Sequence, residues 1–378
     1  MIRIVLTGGG SGGHIFPLVA VAREIRRLGS EQKISNYLTY VGSAGIFRTV
    51  IENEDIEAYE LPGGKLRAYS SVSNLFDPFK MFFAFFIALV RLFLIMPDVV
   101  FSKGGTGSVP VVLAARVYRI PVMVHDSDAI PGKSNVLSGR FAARIAVSFD
   151  SAAAYFPSYK TAFTGNPIRS EIAASNSESR ASLKQKLGFA EQTPLLLIIG
   201  GSQGATRIND FVFNALSVLL SKFQILHQVG TINFADTIRE SSAVLKTLPA
   251  GLRVRYKAVP FLEDDYATAL KAADVIISRA SSGAIFEIAS VGAPSVLVPL
   301  PEAAQNHQRE NAYKYAEGGA AIVIEQENLL PEILIEQLDK IIGNEEAYAK
   351  MVSAAKNFAV LDAATVIAGE ILRIGARA

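Results

Sequence analysis

Short aliphatic and β-branched runs alternate with longer stretches whose apolar residues recur at helical spacing. The runs predict strands at Arg3–Thr7, Tyr37–Val41, Val99–Ser102, Val122–His125, Arg144–Val147 and Ala162–Phe163. A second series follows at Leu195–Ile199, Gln224–Gln228, Arg253–Ala258, Val275–Ser278, Ser295–Val298 and Ala321–Ile324. Within a run the apolar residues are continuous and do not alternate, as in strands covered on both faces. Such strands separated by helices predict an α/β fold of doubly wound parallel sheets. The two series follow one plan: RIVLTGGGSGGH opens the first and LLLIIGGSQGAT the second, each a buried strand, a glycine loop and a helix. Between them Gly165-Asn166-Pro167 punctuates a polar stretch. The expected domains are therefore Rossmann-like units at 1–165 and 166–359. An amphipathic last helix near Ala364–Arg373, inside 360–378, could pack on either of them.

One segment departs from this plan. Residues 79–96, FKMFFAFFIALVRLFLIM, are mostly apolar, but Lys80 and Arg91 leave an uncharged run of only ten residues, Met81 to Val90. A membrane span needs about 20. Two readings stay open. The segment is a buried helix, or its face carrying Phe82, Phe83, Phe85 and Phe86 dips into a bilayer while Lys80 and Arg91 meet anionic lipid phosphates.

Composition narrows the chemistry. With 378 residues, half of them hydrophobic, the chain has material for about two domains and their cores. It has no cysteine, which excludes a disulfide scaffold, a thiolate zinc site and a cysteine nucleophile. Four histidines argue against a histidine-rich metal site. A net charge of +2 does not point to nucleic acid. The charge is uneven: residues 1–165 carry a net +5 and residues 166–378 a net −3, so the first half suits an anionic partner. The opening MIRIVLTGGG lacks the layout of a signal peptide, and the cytoplasm is the expected compartment.

Three strand ends carry glycine clusters, at Gly8–Gly13, Gly104–Gly107 and Gly200–Gly204. Glycine lets backbone N–H groups approach an anion, and a helix starting just beyond adds its dipole and free donors. Three such loops predict a phosphate-bearing ligand. Gly8-x-Gly10-x-x-Gly13 also fits a dinucleotide fingerprint, but the second strand ends Tyr40-Val41-Gly42-Ser43 without the carboxylate that holds the ribose. Gly200-Gly201-Ser202-Gln203-Gly204 fits the nucleophile elbow of a hydrolase, with His227, His307, Asp264, Asp265 and Asp274 further on. The two-fold plan suits that single-sheet fold poorly, and Ser202 reads more economically as a phosphate-contacting hydroxyl.

The ordered strings GGGSGGHIFP (8–17), GGTGSVP (104–110), HDSDAIPG (125–132), GNPIR (165–169), GGSQGA (200–205), SRASSGAIFEIASVGAPSVLVP (278–299) and HQRENA (307–312) together resemble the bacterial MurG glycosyltransferase family, over nearly the whole chain. The resemblance implies a GT-B fold, two Rossmann-like domains facing across a cleft. It implies an inverting transfer of N-acetylglucosamine from UDP-N-acetylglucosamine to a lipid-linked muramoyl-pentapeptide acceptor, in peptidoglycan synthesis. The place implied is the cytoplasmic face of the bacterial inner membrane, bound peripherally, with no cofactor and no catalytic metal. A lipid glycosyltransferase of the same fold acting on diacylglycerol is the alternative, and a non-enzymatic nucleotide-sugar binder a third.

Residue by residue, the resemblance places His14 as the base that deprotonates the acceptor hydroxyl, or as a group that only orients substrate. It assigns Ser11, Gly12, Gly13, Arg169, Ser202, Leu262, Ser282, Gly283, Ala284, Glu287 and Gln308 to the donor, with Glu287 on the ribose. Gly104, Gly105 and Thr106 are the expected seat of the acceptor diphosphate. The chain departs from the family at His125-Asp126-Ser127-Asp128, where His-Glu-x-Asn is usual. Asp128 then takes the place of an amide expected on the donor sugar. The Asp-x-Asp so created reads as an accident of sequence, since Arg169 and helix termini already serve a diphosphate. Thr106 stands where an aromatic residue is frequent.

Overall fold

Successive side chains of a strand point to opposite faces of its sheet, and here both faces are apolar. The computed structural model describes residues 1–62, 73–174, 178–201, 204–301 and 303–377, without the side chains of 73–78 and 304. It divides into two units, residues 1–169 with 360–378, and residues 170–359.

Unit 1 holds β1 (Ile2–Thr7), β2 (Asn36–Gly42), β3 (Glu57–Glu60), β4 (Val99–Ser102), β5 (Val122–Asp126), β6 (Arg144–Val147) and β7 (Thr161–Phe163). They form one parallel sheet in the order β3-β2-β1-β4-β5-β6-β7. Ile4, Leu6, Leu38 and Phe101 pack on one face with helices Gly12–Glu31 and Ala363–Gly375. Val5, Val41, Val100 and Val124 pack on the other with helices Ser73–Ile95 and Val109–Val117. Unit 2 holds β8 (Leu195–Ile199), β9 (Gln224–Gln228), β10 (Tyr256–Val259), β11 (Val275–Ser278), β12 (Ser295–Leu297) and β13 (Ala321–Val323). Their order is β10-β9-β8-β11-β12-β13, again all parallel. Its two cores lie under Leu195, Leu197 and Ile199 on one face and Leu196 and Ile198 on the other.

The doubly wound reading is borne out, with two corrections. β3 was not expected: its four residues, Glu-Ala-Tyr-Glu, sit at a sheet edge and carry no apolar run. The strand expected from Arg253 starts at Tyr256 instead, because Ala250–Arg253 forms a helical turn. There the Arg253 guanidinium donates to the Leu248 carbonyl at 2.7 Å. The last helix, Ala363–Gly375, packs on unit 1: Gly375 lies against Ile2 and Val99, and the Thr365 hydroxyl donates to Glu24 at 2.7 Å.

Helix Ser73–Ile95 buries one face and exposes another. Ala84, Ala88 and Leu92, spaced four apart, are buried against the sheet. Small residues there bring the helix close, so Phe82, Phe83 and Phe86 are turned outward at 58%, 61% and 48% exposure. Phe85 is half-buried, Lys80 is exposed, and Arg91 stacks on the Tyr59 ring 4.2 Å from its centroid. Among the described residues no helix is long and apolar enough to cross a membrane.

Ile371 is fully buried in the last helix. Ile371→Ala should lower stability in urea unfolding by about 2–5 kcal/mol, and in a protease-protection experiment the loss should fall on residues of unit 1. Loss confined to unit 2 would contradict the packing.

Candidate active site

In an open parallel sheet, ligands bind beyond the carboxyl ends of the strands where the winding reverses. In unit 1 that point lies between β1 and β4, and in unit 2 between β8 and β11. Each glycine cluster follows one of these strands: Gly8–Gly13 follows β1, Gly104–Gly107 follows β4 and Gly200–Gly204 follows β8.

In unit 1 the reversal sets two glycine loops side by side, with His14 between them. Ser11 immediately precedes helix Gly12–Glu31, and its hydroxyl lies 2.7 Å from His14 Nδ1. On the other side of the ring, a Cβ built on Gly105 would lie 3.3 Å from His14 Nε2 and 3.1 Å from Gly9 Cα. Arg169 stacks over Phe16 at 4.4 Å, one turn into the same helix. The structure thus brings Ser11, Gly12, Gly13, His14, Gly104, Gly105, Thr106 and Arg169 to one end of the unit 1 sheet.

The second loop rests on buried polar groups, of which the sequence reading missed Lys103 and Asn135. Gly104 has φ +91°, and a Cβ there would lie 2.3 Å from Asn135 Oδ1, so a side chain is barred twice over. Asn135 Nδ2 donates to Asp126 Oδ2 at 2.6 Å, and the Asp128 N–H donates to Asp126 Oδ1 at 2.9 Å. Lys103, 1% exposed, donates its ammonium to Ser127. Burial lowers Lys103 to about 8 against the pull of Asp126 and Asp128. Burial, then the charge of Asp128, pushes Asp126 up to about 6. His125 is fully buried beside the Gly165 carbonyl, and burial holds it well below the usual histidine range, so it stays neutral.

In unit 2 the expected donor residues line the carboxyl ends of the strands. Gly204 has φ +77°, and a Cβ there would lie 2.1 Å from the Val229 carbonyl oxygen. Gln228, at the end of β9, ties two elements together: its Nε2 donates to the Gly201 carbonyl at 3.1 Å and its Oε1 accepts from the Leu262 N–H at 3.0 Å. The Ser281 hydroxyl caps helix Ser282–Val291, accepting from the Ala284 N–H. One turn on, Glu287 is 8% exposed, and its Oε2 accepts from the Tyr266 hydroxyl at 2.9 Å. Gln308 Oε1 accepts from the Leu300 N–H at 3.1 Å, and Arg279 donates to the carbonyls of Val298 and Pro299 just before. Leu262, Ser282, Gly283, Ala284, Glu287 and Gln308 therefore share one end of the sheet. Ser202 lies outside the described residues. Gln228 and Tyr266 carried no motif signal, because each acts only through a contact that strand order creates; Arg279 stands in the string at 278–299 but was given no role there.

These features define a nucleotide-sugar transferase architecture. Family models agree: the glycosyltransferase family 28 N-terminal domain matches residues 4–147 and its C-terminal domain residues 195–367. A UDP-N-acetylglucosamine--N-acetylmuramyl-(pentapeptide) pyrophosphoryl-undecaprenol N-acetylglucosamine transferase of Bacillus thuringiensis is 37% identical, over 92% of this chain and 94% of its own length. The enzyme of that description from Clostridium botulinum is 35% identical, over 94% and 95%. The crystal structure of Acinetobacter baumannii MurG superposes with a TM-score of 0.74 at 27% identity, covering 99% of this chain and all of that one. A UDP-GlcNAc 2-epimerase from Neisseria meningitidis, bound to UDP-GlcNAc, shares the fold at 15% identity and a TM-score of 0.68, over 98% of this chain. The chain belongs to the MurG family of glycosyltransferases.

The raised Asp126 carboxyl makes a pH prediction. Between its ordinary value of 3.8 and about 6, the folded chain holds a proton that the unfolded chain releases. The stability from this group is present below pH 3.8 and lost as pH rises through about 6. Urea midpoints followed over that range should fall less steeply in Asp126→Asn than in the parent; an equal slope would contradict the assignment.

Proposed function

We propose that this protein is an inverting transferase that moves N-acetylglucosamine from UDP-N-acetylglucosamine to the 4-hydroxyl of an undecaprenyl-diphospho-muramoyl-pentapeptide, in peptidoglycan synthesis. The observation that carries the reading is His14 held between two anion-suited loops at the unit 1 winding reversal. Full-length identity to enzymes of that description supports it.

The displacement forms a bond from the acceptor oxygen to the sugar carbon, breaks the bond to the diphosphate and releases UDP. The acceptor proton passes to a base. His14 takes that role when Nδ1–H donates to Ser11 Oγ, leaving the Nε2 lone pair on the side of Gly105. Gly104, Gly105 and Thr106 seat the acceptor diphosphate beside His14. On the donor, Tyr266 orients the Glu287 carboxylate, which accepts from the ribose hydroxyls. With Oε1 of Gln308 occupied by Leu300, its Nε2 is the group turned to the sugar. The Leu262 backbone adjoins the uracil. Ser202, the Ser282–Ala284 turn and Ser11–Gly13 serve the donor phosphates and sugar, and Arg169 adds a charge-assisted contact.

The exposed phenylalanines of helix Ser73–Ile95 suit peripheral attachment at the cytoplasmic face of the bacterial inner membrane. Burying one phenyl ring in lipid is worth about 1.5–3 kcal/mol, so three half-exposed rings suffice for reversible binding. Lys80 supplies the nearby positive charge; Arg91 is engaged with Tyr59.

Given UDP-N-acetylglucosamine and a soluble lipid-linked muramoyl acceptor, the protein should release UDP. His14→Ala should lower kcat roughly 10²–10⁴-fold with little change in the donor KM. Preferential turnover on diacylglycerol would make it another lipid transferase, and UDP binding without transfer would make it a binding protein. Separately, replacing Phe82, Phe83 and Phe86 together by serine should weaken binding to anionic liposomes by roughly 100-fold in a protein that still folds. Unchanged binding would remove the attachment.

A further inference from the structure

Lys103 is the group in unit 1 that neither the motifs nor the mechanism accounts for. It follows β4, and its N–H donates to the Thr7 carbonyl at 2.9 Å, at the winding reversal itself. It immediately precedes the acceptor loop Gly104–Gly107. Its ammonium donates to Ser127, whose hydroxyl lies 3.4 Å from Asn166 Oδ1. Asp126 is 1% exposed, so its carboxyl, like the Lys103 ammonium, is taken out of water. Asp126 in turn holds Asn135, the residue on which Gly104 rests. At 1% exposure Lys103 is itself too deep to touch a substrate.

A buried lysine beside two carboxylates is often only a structural ion pair, and such a pair is weak evidence for anything more. Its position argues for more here. Asp126 and Asp128 place up to two negative charges behind a loop that is to receive a diphosphate. A like charge in a poorly screened interior repels that ligand at range. The Lys103 ammonium is buried at Ser127, the residue that accepts from it and that stands between the two carboxylates in the chain.

We propose that Lys103 is a positioning residue for the transfer: its buried ammonium offsets Asp126 and Asp128 and fixes the Gly104–Gly107 loop for the acceptor diphosphate. The inference rests on the proposed function, since it names that loop as the acceptor's seat. It assigns Lys103 no contact with the reacting atoms. Its effect belongs to the acceptor and not to the donor, whose contacts lie mainly on unit 2.

Lys103→Met keeps the length of the side chain and removes its charge. It should raise the acceptor KM roughly 10- to 100-fold, leave the UDP-N-acetylglucosamine KM within about 3-fold, and lower Tm by roughly 5–15 °C. Adding Asp128→Asn to Lys103→Met should recover most of both losses, because the charge is rebalanced. A folded Lys103→Met protein with the parent acceptor KM, equal increases in both KM values, or a double variant no better than the single one would each overturn the inference. If Lys103→Met does not fold, the double variant carries the test, and its failure to fold overturns it too. If the parent protein transfers sugar to no lipid acceptor, it is the proposed function that falls. The Tm comparison then decides for Lys103: recovery by Asp128→Asn upholds the charge offset, and no recovery refutes it.

Discussion

The order of strands in each sheet governs everything else. A parallel sheet that winds outward in both directions from one strand leaves a place where two adjacent strands send their connections to opposite faces. No helix can close over that place, so the loops there stay open to a ligand. In unit 1 this sets the ends of β1 and β4 together, and in unit 2 the ends of β8 and β11. The glycine clusters sit at these ends, where backbone must approach an anion. The helices that start at Gly12 and Ser282 direct the positive ends of their dipoles to the same places.

Around each reversal, buried amides and hydroxyls hold the loops in one arrangement. Asn135 and Asp126 support the second glycine loop; Gln228 joins the third loop to the Leu262 backbone; Tyr266 turns Glu287. A buried polar group is costly unless paired, so each of these contacts also selects against alternative loop positions. The scaffold is rigid where chemistry needs precision. On helix Ser73–Ile95 the logic is inverted: alanines face inward so that phenylalanines face out.

Much of this was legible in the chain. Continuous aliphatic runs identify both sheets because their strands are covered on two faces. The glycine strings identify the loops because glycine's backbone freedom is a local property. Contacts made only across strands were not legible. Lys103, Asn135 and Tyr266 look ordinary in sequence, and their partners are 24, 9 and 21 positions away. The acidic edge strand Glu57–Glu60 escaped because it lacks an apolar run. For helix Ser73–Ile95, apolar on nearly every side, periodicity alone could not say which face meets the core; the small residues Ala84 and Ala88, one turn apart, hold that information.

The central claim is that nucleotide sugar binds where the unit 2 sheet reverses its winding. A crystal structure of the protein with UDP-N-acetylglucosamine tests this most directly. Uracil should lie beside the Leu262 backbone, with the ribose hydroxyls donating to Glu287 and the diphosphate at the Gly200–Gly204 loop and the start of helix Ser282–Val291. Density for the nucleotide at the opposite ends of these strands, or away from Glu287, would contradict it.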